Sequence, residues 1–413
     1  MKNHKFKGWK NPFILLVSLG ISNIGDFIYL IAINIMVYNV TSGSAAAVAG
    51  LWIIAPLINI LTKVWTGSFI DYRSKKKIII LTYFLRAIFI MAIPFAPNLL
   101  VIYTILIFLS IAQSFFSPAS MTYTTMIVPE IKRKRFNSIR SVTSSGAFII
   151  GPAVGGTLIL LTNIHITLLI NSLFFVIAAL LLLFLPEKEK ISKVSIPKLT
   201  VEQIYQDFKV VYQFMENNKY VTFIYLGYII IMLFAFAMDA QEVVFIQSVI
   251  GLNETDYSFL ISITGIGSVV GATILTLISN RISIKLMITI GVMMMALGYL
   301  LYAFSWSFVS VAVGFIFLGF FNVFLNSGIT TFYQNNIPIE KMGRITSIFQ
   351  LVQSSLQVVF ILTIGIIADV ISLRYTIVSL SLLMFIVSFI FTVSVFNKKN
   401  ALHYQEANQN INI

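Results

Sequence analysis

Long apolar segments alternate with short polar ones along nearly the whole chain. Twelve of the apolar segments are long enough to cross a bilayer as a helix, which takes roughly 20 residues. They lie at about 12–38, 45–70, 78–97, 99–127, 137–162, 167–185, 220–247, 257–279, 286–304, 308–335, 344–368 and 374–396. Lipid offers no hydrogen-bond partners to a bare backbone, so each segment must be a helix. The pattern predicts an all-α membrane protein with 12 transmembrane helices.

One polar segment is much longer than the others and divides the predicted helices into six and six. Within it, Ile204, Phe208 and Val211 recur at helical spacing, so we expect an amphipathic helix here. That helix would lie at the inner membrane face or pack on the helix bundle. The predicted parts are a first six-helix half (1–185), a connecting loop (186–219), a second six-helix half (220–396) and a tail (397–413).

Composition and charge agree with a membrane protein. Of the 413 residues, 58% are hydrophobic and 10% are charged, against about 25% charged in soluble domains. With the N-terminus inside, 25 of the 28 Lys and Arg residues lie in inner segments. This bias predicts that both termini are cytoplasmic. It also explains the net charge of +13 without nucleic acid as a partner. Frequent Lys, Ile and Asn favour a bacterial cell membrane.

The sequence has few of the features that enzymes use for catalysis. It has no cysteine and only three histidines, which are far apart, so neither a thiol nucleophile nor a Cys- or His-based metal site is expected. No P-loop motif for nucleotide phosphates is present. We therefore expect no catalytic activity, no metal and no cofactor.

The two halves repeat at a shift of 209 residues. Five of eleven positions are identical in one stretch: Pro129, Lys132, Arg135, Ser138 and Ile139 fall on Pro338, Lys341, Arg344, Ser347 and Ile348. Internal repeats of this kind are typical of secondary transporters, whose substrate site lies between the repeats near the middle of the membrane.

Charged residues inside predicted spans are costly and indicate function. The acids are Asp26 in span 1, and Asp239 and Glu242 in span 7. A carboxyl group that takes up and releases a proton would serve proton-coupled transport, with Asp26 as the first candidate. Lys63 and Arg86 are the cations, and we expect both to extend toward the inner headgroups. Pairing with a membrane acid is the alternative.

Polar residues at helical spacing predict the walls of a substrate cavity. The candidates lie on spans 1, 4, 10 and 11, and those of spans 4 and 10 are related by the repeat. They are Asn23, Asn34, Gln113, Ser117, Asn322, Asn326, Gln350, Gln353 and Gln357. Hydrogen bonds between helices could explain any single one of these stripes.

The loop between spans 2 and 3 reads Gly67-Ser-Phe-Ile-Asp71-Tyr-Arg73-Ser-Lys75-Lys76-Lys77. It resembles the loop signature of the major facilitator superfamily. The resemblance implies a conformational gate made by Gly67, Asp71, Arg73, Lys75 and Lys76, in which the aspartate faces a helix N-terminus. A positive anchor alone would explain the lysines but not the glycine or the aspartate.

Span 5 carries Gly151-Pro152-Ala-Val-Gly155-Gly156, which resembles the antiporter motif of drug–proton exporters in that superfamily. The stretch Phe115-Phe116-Ser117-Pro118-Ala119, then Val128-Pro129-Glu130 and Asn137 ahead of the Gly-Pro run, is similar to the macrolide-efflux branch of the superfamily. The span-4 arginine of the superfamily would fall near Ser110 and is absent.

The resemblance implies a monomer that exports lipophilic small molecules, such as macrolide-like antibiotics, by proton antiport and alternating access. Its partners would be the substrate, protons and the lipid bilayer. Two alternatives remain open: a dedicated exporter of one self-made metabolite, such as a siderophore or a peptide antibiotic, and a proton-coupled nutrient importer.

Overall fold

The computed structural model describes residues 9–71, 73–187, 201–278, 281–396 and 404. Within these residues the chain forms 14 α-helices and no β-strand. Twelve of the helices are long and apolar enough to cross a membrane. The predicted all-α fold with 12 transmembrane helices is therefore confirmed.

The first six spanning helices come before the connecting segment, and six follow it. The first six are α1 (Lys10–Val40), α2 (Ala45–Asp71), α3 (Lys75–Ala92), α4 (Leu99–Ile127), α5 (Glu130–Leu161) and α6 (Ile164–Leu183). The later helices are α7 (Val201–Asn217), α8 (Lys219–Asp239), α9 (Glu242–Val244), α10 (Glu254–Ile278), α11 (Ile284–Ala303), α12 (Phe308–Asn336), α13 (Ile339–Val370) and α14 (Leu373–Val395).

The repeat extends to the helix boundaries. Each of α8, α10, α11, α12, α13 and α14 begins 209 residues after its counterpart among α1 to α6. The residues that start the helices repeat as well. Ser74 and Ser283 both cap a helix with their side chains, as do Asn98 and Ser307. Because a capping side chain accepts a backbone N–H that has no partner inside the helix, these short polar residues fix where each span begins.

One predicted span is interrupted. The segment 220–247 was expected to be one helix, but α8 ends at Asp239, and α9 and a π-helical turn (Phe245–Val249) follow. The N–H of Gln241 donates to the carbonyl of Met238, three residues back, at 3.0 Å. This bond tightens the last turn and redirects the chain, because an α-helix needs a bond four residues back.

The chain divides into two compact units. The first contains residues 1–198 and 253–262, and the second contains 199–252 and 263–413. In the first unit, α6 packs against both α1 and α3, and α5 packs against α1. In the second, α11 packs against α12 and α14, and α7 packs against α8 and α13. Val211 and Phe214 are the buried side of α7, whereas Phe208 and Tyr212 are exposed.

Candidate functional site

An ion pair lies in the first unit, between α1 and α3. The guanidinium of Arg86 contacts the carboxylate of Asp26 through Nη2 and Oδ1. Arg86 is 2% exposed, whereas the Asp26 side chain is 34% exposed. The guanidinium carbon also lies 4.2 Å from the ring centroid of Phe175 on α6, close enough for a cation–π contact.

The expectation that Arg86 extends toward the inner headgroups is wrong. Because α3 packs against α6 and its Arg86 face points into the bundle, the side chain meets Asp26 and Phe175 instead of water. The side chain of Lys63, which was expected to behave in the same way, lies outside the described residues.

Polar contacts hold the helices around this pair. The hydroxyls of Ser22 on α1 and Tyr83 on α3 are 2.8 Å apart, and Ser18 donates to the carbonyl of Ala178 on α6 at 2.8 Å. The Tyr83 ring also packs against Phe116 on α4, with centroids 5.0 Å apart. These contacts fix the rotation of α1, and with it the direction in which Asp26 points.

The glycines of the Gly-Pro motif bring α5 onto the part of α1 that carries Asp26. A Cβ placed on Gly151 would lie 2.5 Å from the Cβ of Phe27, and one on Gly155 would lie 3.5 Å from the Cα of Ile28. Larger residues would force the helices apart, as expected where small residues let helices approach closely. Pro152 is buried in the same interface.

The last glycine of the motif, Gly156, packs against the start of α10. A Cβ on Gly156 would lie 2.5 Å from the Cβ of Ser258. Nearby, the amide of Asn39 donates to the Glu254 carboxylate at 2.7 Å. Both residues of α10 belong to the first unit.

An apolar groove of about 900 Å³ lies between α1 and α5. This volume is in the range of small-molecule sites, about 300–1,000 Å³. Its lining includes Leu16, Ile21, Ile24, Ile139 and Thr143. Residues two apart on a helix do not share a face, so the groove lies on the α5 side of α1, whereas Asp26 faces Arg86 on α3.

The basic residues at the start of α3 contact the end of α6. Lys76 donates to the carbonyls of Leu183 at 3.1 Å and Leu185 at 2.5 Å. Such contacts neutralise the carbonyls that a helix end leaves free.

Lys77 forms a 3.3 Å ion pair with Glu187. Hydrogen bonds from Ser74 and Lys77 lower the pKa of the Glu187 carboxyl. The loop signature thus has a structural contact on α6 that the sequence did not predict.

Of the other residues of the predicted gate, the structure describes the side chains of Arg73 and Lys75. Arg73 is exposed and Lys75 is buried. The environments of Gly67 and of the Asp71 side chain lie outside the described residues.

The two acids predicted in span 7 lie in the second unit, where α8 ends and α9 begins. Both are partly buried. The hydroxyl of Tyr299 on α11 donates to Asp239 at 2.6 Å, and Glu242 is close enough to Asp239 for their charges to interact. Within the described part of the chain, no salt bridge reaches either carboxylate.

Arg374 at the start of α14 contacts residues at and just after the end of α11. It donates to the carbonyls of Ala303 at 3.2 Å and Ser305 at 2.8 Å, and its guanidinium lies 3.8 Å from the ring centroid of Trp306. It therefore neutralises the C-terminal end of α11, where a cation is favourable.

The predicted cavity residues differ in their surroundings. Asn34 is buried; it donates to the carbonyl of Leu30 at 2.7 Å and accepts from Trp52 at 3.1 Å. The other candidates are exposed or partly buried on their helices. They are Asn23, Gln113, Ser117, Asn322, Asn326, Gln350, Gln353 and Gln357.

A relay of hydrogen bonds joins two of the candidates on α12 to α8. Tyr228 donates to Asn326 at 3.0 Å, and the Asn326 amide donates to Asn322 at 2.6 Å. Beside it, the Tyr225 ring stacks on Tyr333 with centroids 3.8 Å apart. The residues predicted from the sequence do not include Tyr228. The feature that could have identified it is a tyrosine in an apolar span of the same half of the chain that carries Asn322 and Asn326.

On the sequence alone, pairing of Arg86 with a membrane acid is the alternative, and Arg86 is not among the candidate site residues. The available signal was charge balance, because Asp26 is the one acid in the first six predicted spans, whose cations are Lys63, Arg86 and Arg140. No group of three or more metal-ligating side chains occurs in the described ranges.

Comparison with known proteins agrees with the helix count and the repeat. The family model described as Major Facilitator Superfamily matches residues 15–359. The uncharacterized MFS-type transporter YfiS of Bacillus subtilis (strain 168) is 25% identical over 274 residues, or 66% of each chain. The match thus spans just under two thirds of that relative.

Solved transporter structures share the fold at low sequence identity. The nucleoside transporter NupG has a TM-score of 0.73 at 14% identity, covering 94% of this chain and 100% of that one. A bacterial homologue of the human lysosomal transporter Spinster has a TM-score of 0.75 at 12% identity, covering 96% and 99%. With its family match over more than half its length, its 12 spanning helices and its internal repeat, the chain belongs to the Major Facilitator Superfamily of membrane transporters.

Proposed function

We propose that this transporter exports lipophilic small molecules, of the macrolide-like antibiotic type, in exchange for protons. The observation that carries the proposal is the Asp26–Arg86 ion pair. Its carboxylate is one-third exposed while its cation is buried. An apolar groove on another face of α1, lined by residues up to Ile24, offers surface for a lipophilic substrate.

The ion pair supplies a way to couple protons to conformation. A proton that binds Asp26 leaves Arg86 buried without an opposite charge, which costs on the order of 3–5 kcal/mol. That cost disfavours the conformation in which Arg86 is buried, so protonation shifts the population toward another conformation. Arg86 on α3 would thus supply the cation that the family resemblance places near Ser110 on α4.

Asp239 and Glu242 form a second candidate proton site. Their charges interact, and two carboxylates that are close together in a protein interior do not readily ionise together. The pair can therefore hold one proton, with Tyr299 orienting Asp239. Asp26 remains the first choice because it combines a partly exposed carboxylate with a buried counter-ion.

Export from cells tests the proposal. Cells that carry the wild type, Asp26→Asn, the Asp239→Asn/Glu242→Gln double variant or Asp369→Asn are loaded with a lipophilic cation dye or a macrolide. Export is followed with and without a protonophore. Asp369→Asn is the matched control, because it removes an exposed acid at the end of α13.

We expect the wild type and the control to export, the protonophore to stop them, and Asp26→Asn to be inactive. Normal export by Asp26→Asn together with loss in the double variant would move the proton site to Asp239 and Glu242. Export that ignores the protonophore would contradict antiport. If no dye or macrolide moves, one of the alternatives, a dedicated metabolite exporter or a nutrient importer, replaces this proposal.

A further inference from the structure

A group of buried polar atoms beside the ion pair lacks hydrogen-bond partners. Both polar atoms of the Asn171 side chain on α6 are buried and unpartnered, and so are Nε and Nη1 of Arg86. Asn171 is 0% exposed and Arg86 is 2% exposed. An unpaired buried polar group destabilises the folded state, so four such atoms in one region need a physical reason.

These atoms belong to one contiguous region. A Cβ on Gly25 would lie 3.2 Å from Oδ1 of Asn171 and 3.2 Å from the Phe175 ring. The same ring lies 4.2 Å from the guanidinium carbon of Arg86. Because Gly25 precedes Asp26 in the chain, the Asn171 amide faces α1 next to the proposed proton site.

Glycine at position 25 allows α1 and α6 to pack closely in this region. At 3.2 Å, a methyl group would be closer to Asn171 and Phe175 than ordinary van der Waals contact allows. The bare backbone of Gly25 therefore lets the Asn171 amide lie close to α1.

We propose that Asn171 and Arg86 bind water next to Asp26, and that this water passes protons to the Asp26 carboxyl group. Buried water typically makes two to four hydrogen bonds to polar groups that lack other partners, and this region offers donors from Arg86 and both a donor and an acceptor from Asn171. An anion is a poorer occupant, because Asp26 already balances the charge of Arg86. The water site rests on the structure alone, whereas its role in proton transfer rests on the proposed function.

Asn171→Leu tests the water site, because leucine has a similar size but no polar atoms. The matched control is Ser172→Ala, one residue further on α6, where the buried hydroxyl already donates to the Leu169 carbonyl at 2.7 Å. Purified proteins are heated in detergent and the apparent melting temperature is measured.

If water is bound, Asn171→Leu removes its partners and lowers the melting temperature by about 1–3 °C, while Ser172→Ala changes it less. If no water is bound, the leucine merely removes two unpaired polar atoms. An unchanged or raised melting temperature for Asn171→Leu therefore overturns the water site.

Export by the same variants tests the role in proton transfer. We expect Asn171→Leu to slow protonophore-sensitive export several-fold at saturating substrate, with an unchanged KM, because proton delivery and not substrate binding is affected. An unchanged maximal rate overturns this role. If wild-type export proves insensitive to protonophore, the proposed function fails, yet the melting comparison still decides whether water is bound.

Discussion

Asp26→Asn is expected to destabilise the protein as well as to stop transport, because it leaves Arg86 buried without an opposite charge. Breaking a buried ion pair costs about 3–5 kcal/mol. Asp26 is one-third exposed, so we take the lower end, about 3 kcal/mol.

This free energy converts into a small but measurable shift in melting temperature. The entropy of unfolding is about 2.1 cal/mol/K per residue, which for 413 residues amounts to about 0.9 kcal/mol/K. The expected fall in melting temperature is therefore about 3 °C.

A double-mutant cycle in detergent measures the interaction directly. Arg86→Gln alone should cost less than Asp26→Asn, because the carboxylate that it leaves is one-third exposed, whereas the guanidinium that Asp26→Asn leaves is buried. The Asp26→Asn/Arg86→Gln variant should melt higher than Asp26→Asn, since both charges are gone. The control is Glu187→Gln, which breaks an exposed ion pair with Lys77 and should change the melting temperature much less than Asp26→Asn does.

The reasoning is refuted if the effects of Asp26→Asn and Arg86→Gln simply add in the double variant. Additive effects would mean that the two residues do not interact. The protonation mechanism proposed above would then have no physical basis in this pair.

Three further predictions concern other parts of the molecule. Gly156→Ala should abolish export, because its Cβ would lie 2.5 Å from the Cβ of Ser258. The control Gly146→Ala should export normally, since nothing lies within 4 Å of that position. Export rates are compared at equal expression, and an equal loss in both variants would show that helix packing at Gly156 does not limit export. Tyr228→Phe removes the donor to the amide relay of α12 and should raise the KM of hydrogen-bonding substrates while sparing purely apolar ones; a uniform change would exclude the relay from substrate recognition. Glu187 has a lowered pKa in the folded protein, so its contribution to stability is present above its ordinary pKa and is lost as pH falls through the lowered value. The small difference in melting temperature between wild type and Glu187→Gln should therefore disappear at acid pH. A difference that stays constant with pH would contradict this.

The sequence determined the helices well because the signals for a spanning helix are local. Hydrophobic length places each span, and the capping residues at Ser74 and Asn98 start two of them. The shift of 209 residues, found from identities near Pro129, is the same shift that separates the starts of all six helix pairs. The end of α8 was missed because the apolar pattern continues beyond the turn at Gln241.

The candidate site was predictable in its residue types but not in its pairings. Asp26 stood out as an acid in an apolar span, and the Gly-Pro motif stood out by its spacing. The partner of Arg86 depended on which way α3 is rotated against α1 and α6, and a single helix does not specify that rotation. The same holds for Asn171, whose amide would serve equally well in a hydrogen bond between helices.

The sequence by itself determined 12 spanning helices and an internal repeat, because hydrophobic length acts within a few turns of chain and the repeat shows in residue identities. Only the tertiary structure showed that Arg86 forms an ion pair with Asp26 and that the Asn171 amide lies beside them without a hydrogen-bond partner. It also showed that Lys76 donates hydrogen bonds to carbonyls at the end of α6. These contacts depend on how helices distant in the sequence rotate and cross. That geometry is set by packing of the whole bundle, for which small residues such as Gly25 and Gly151 leave the necessary room.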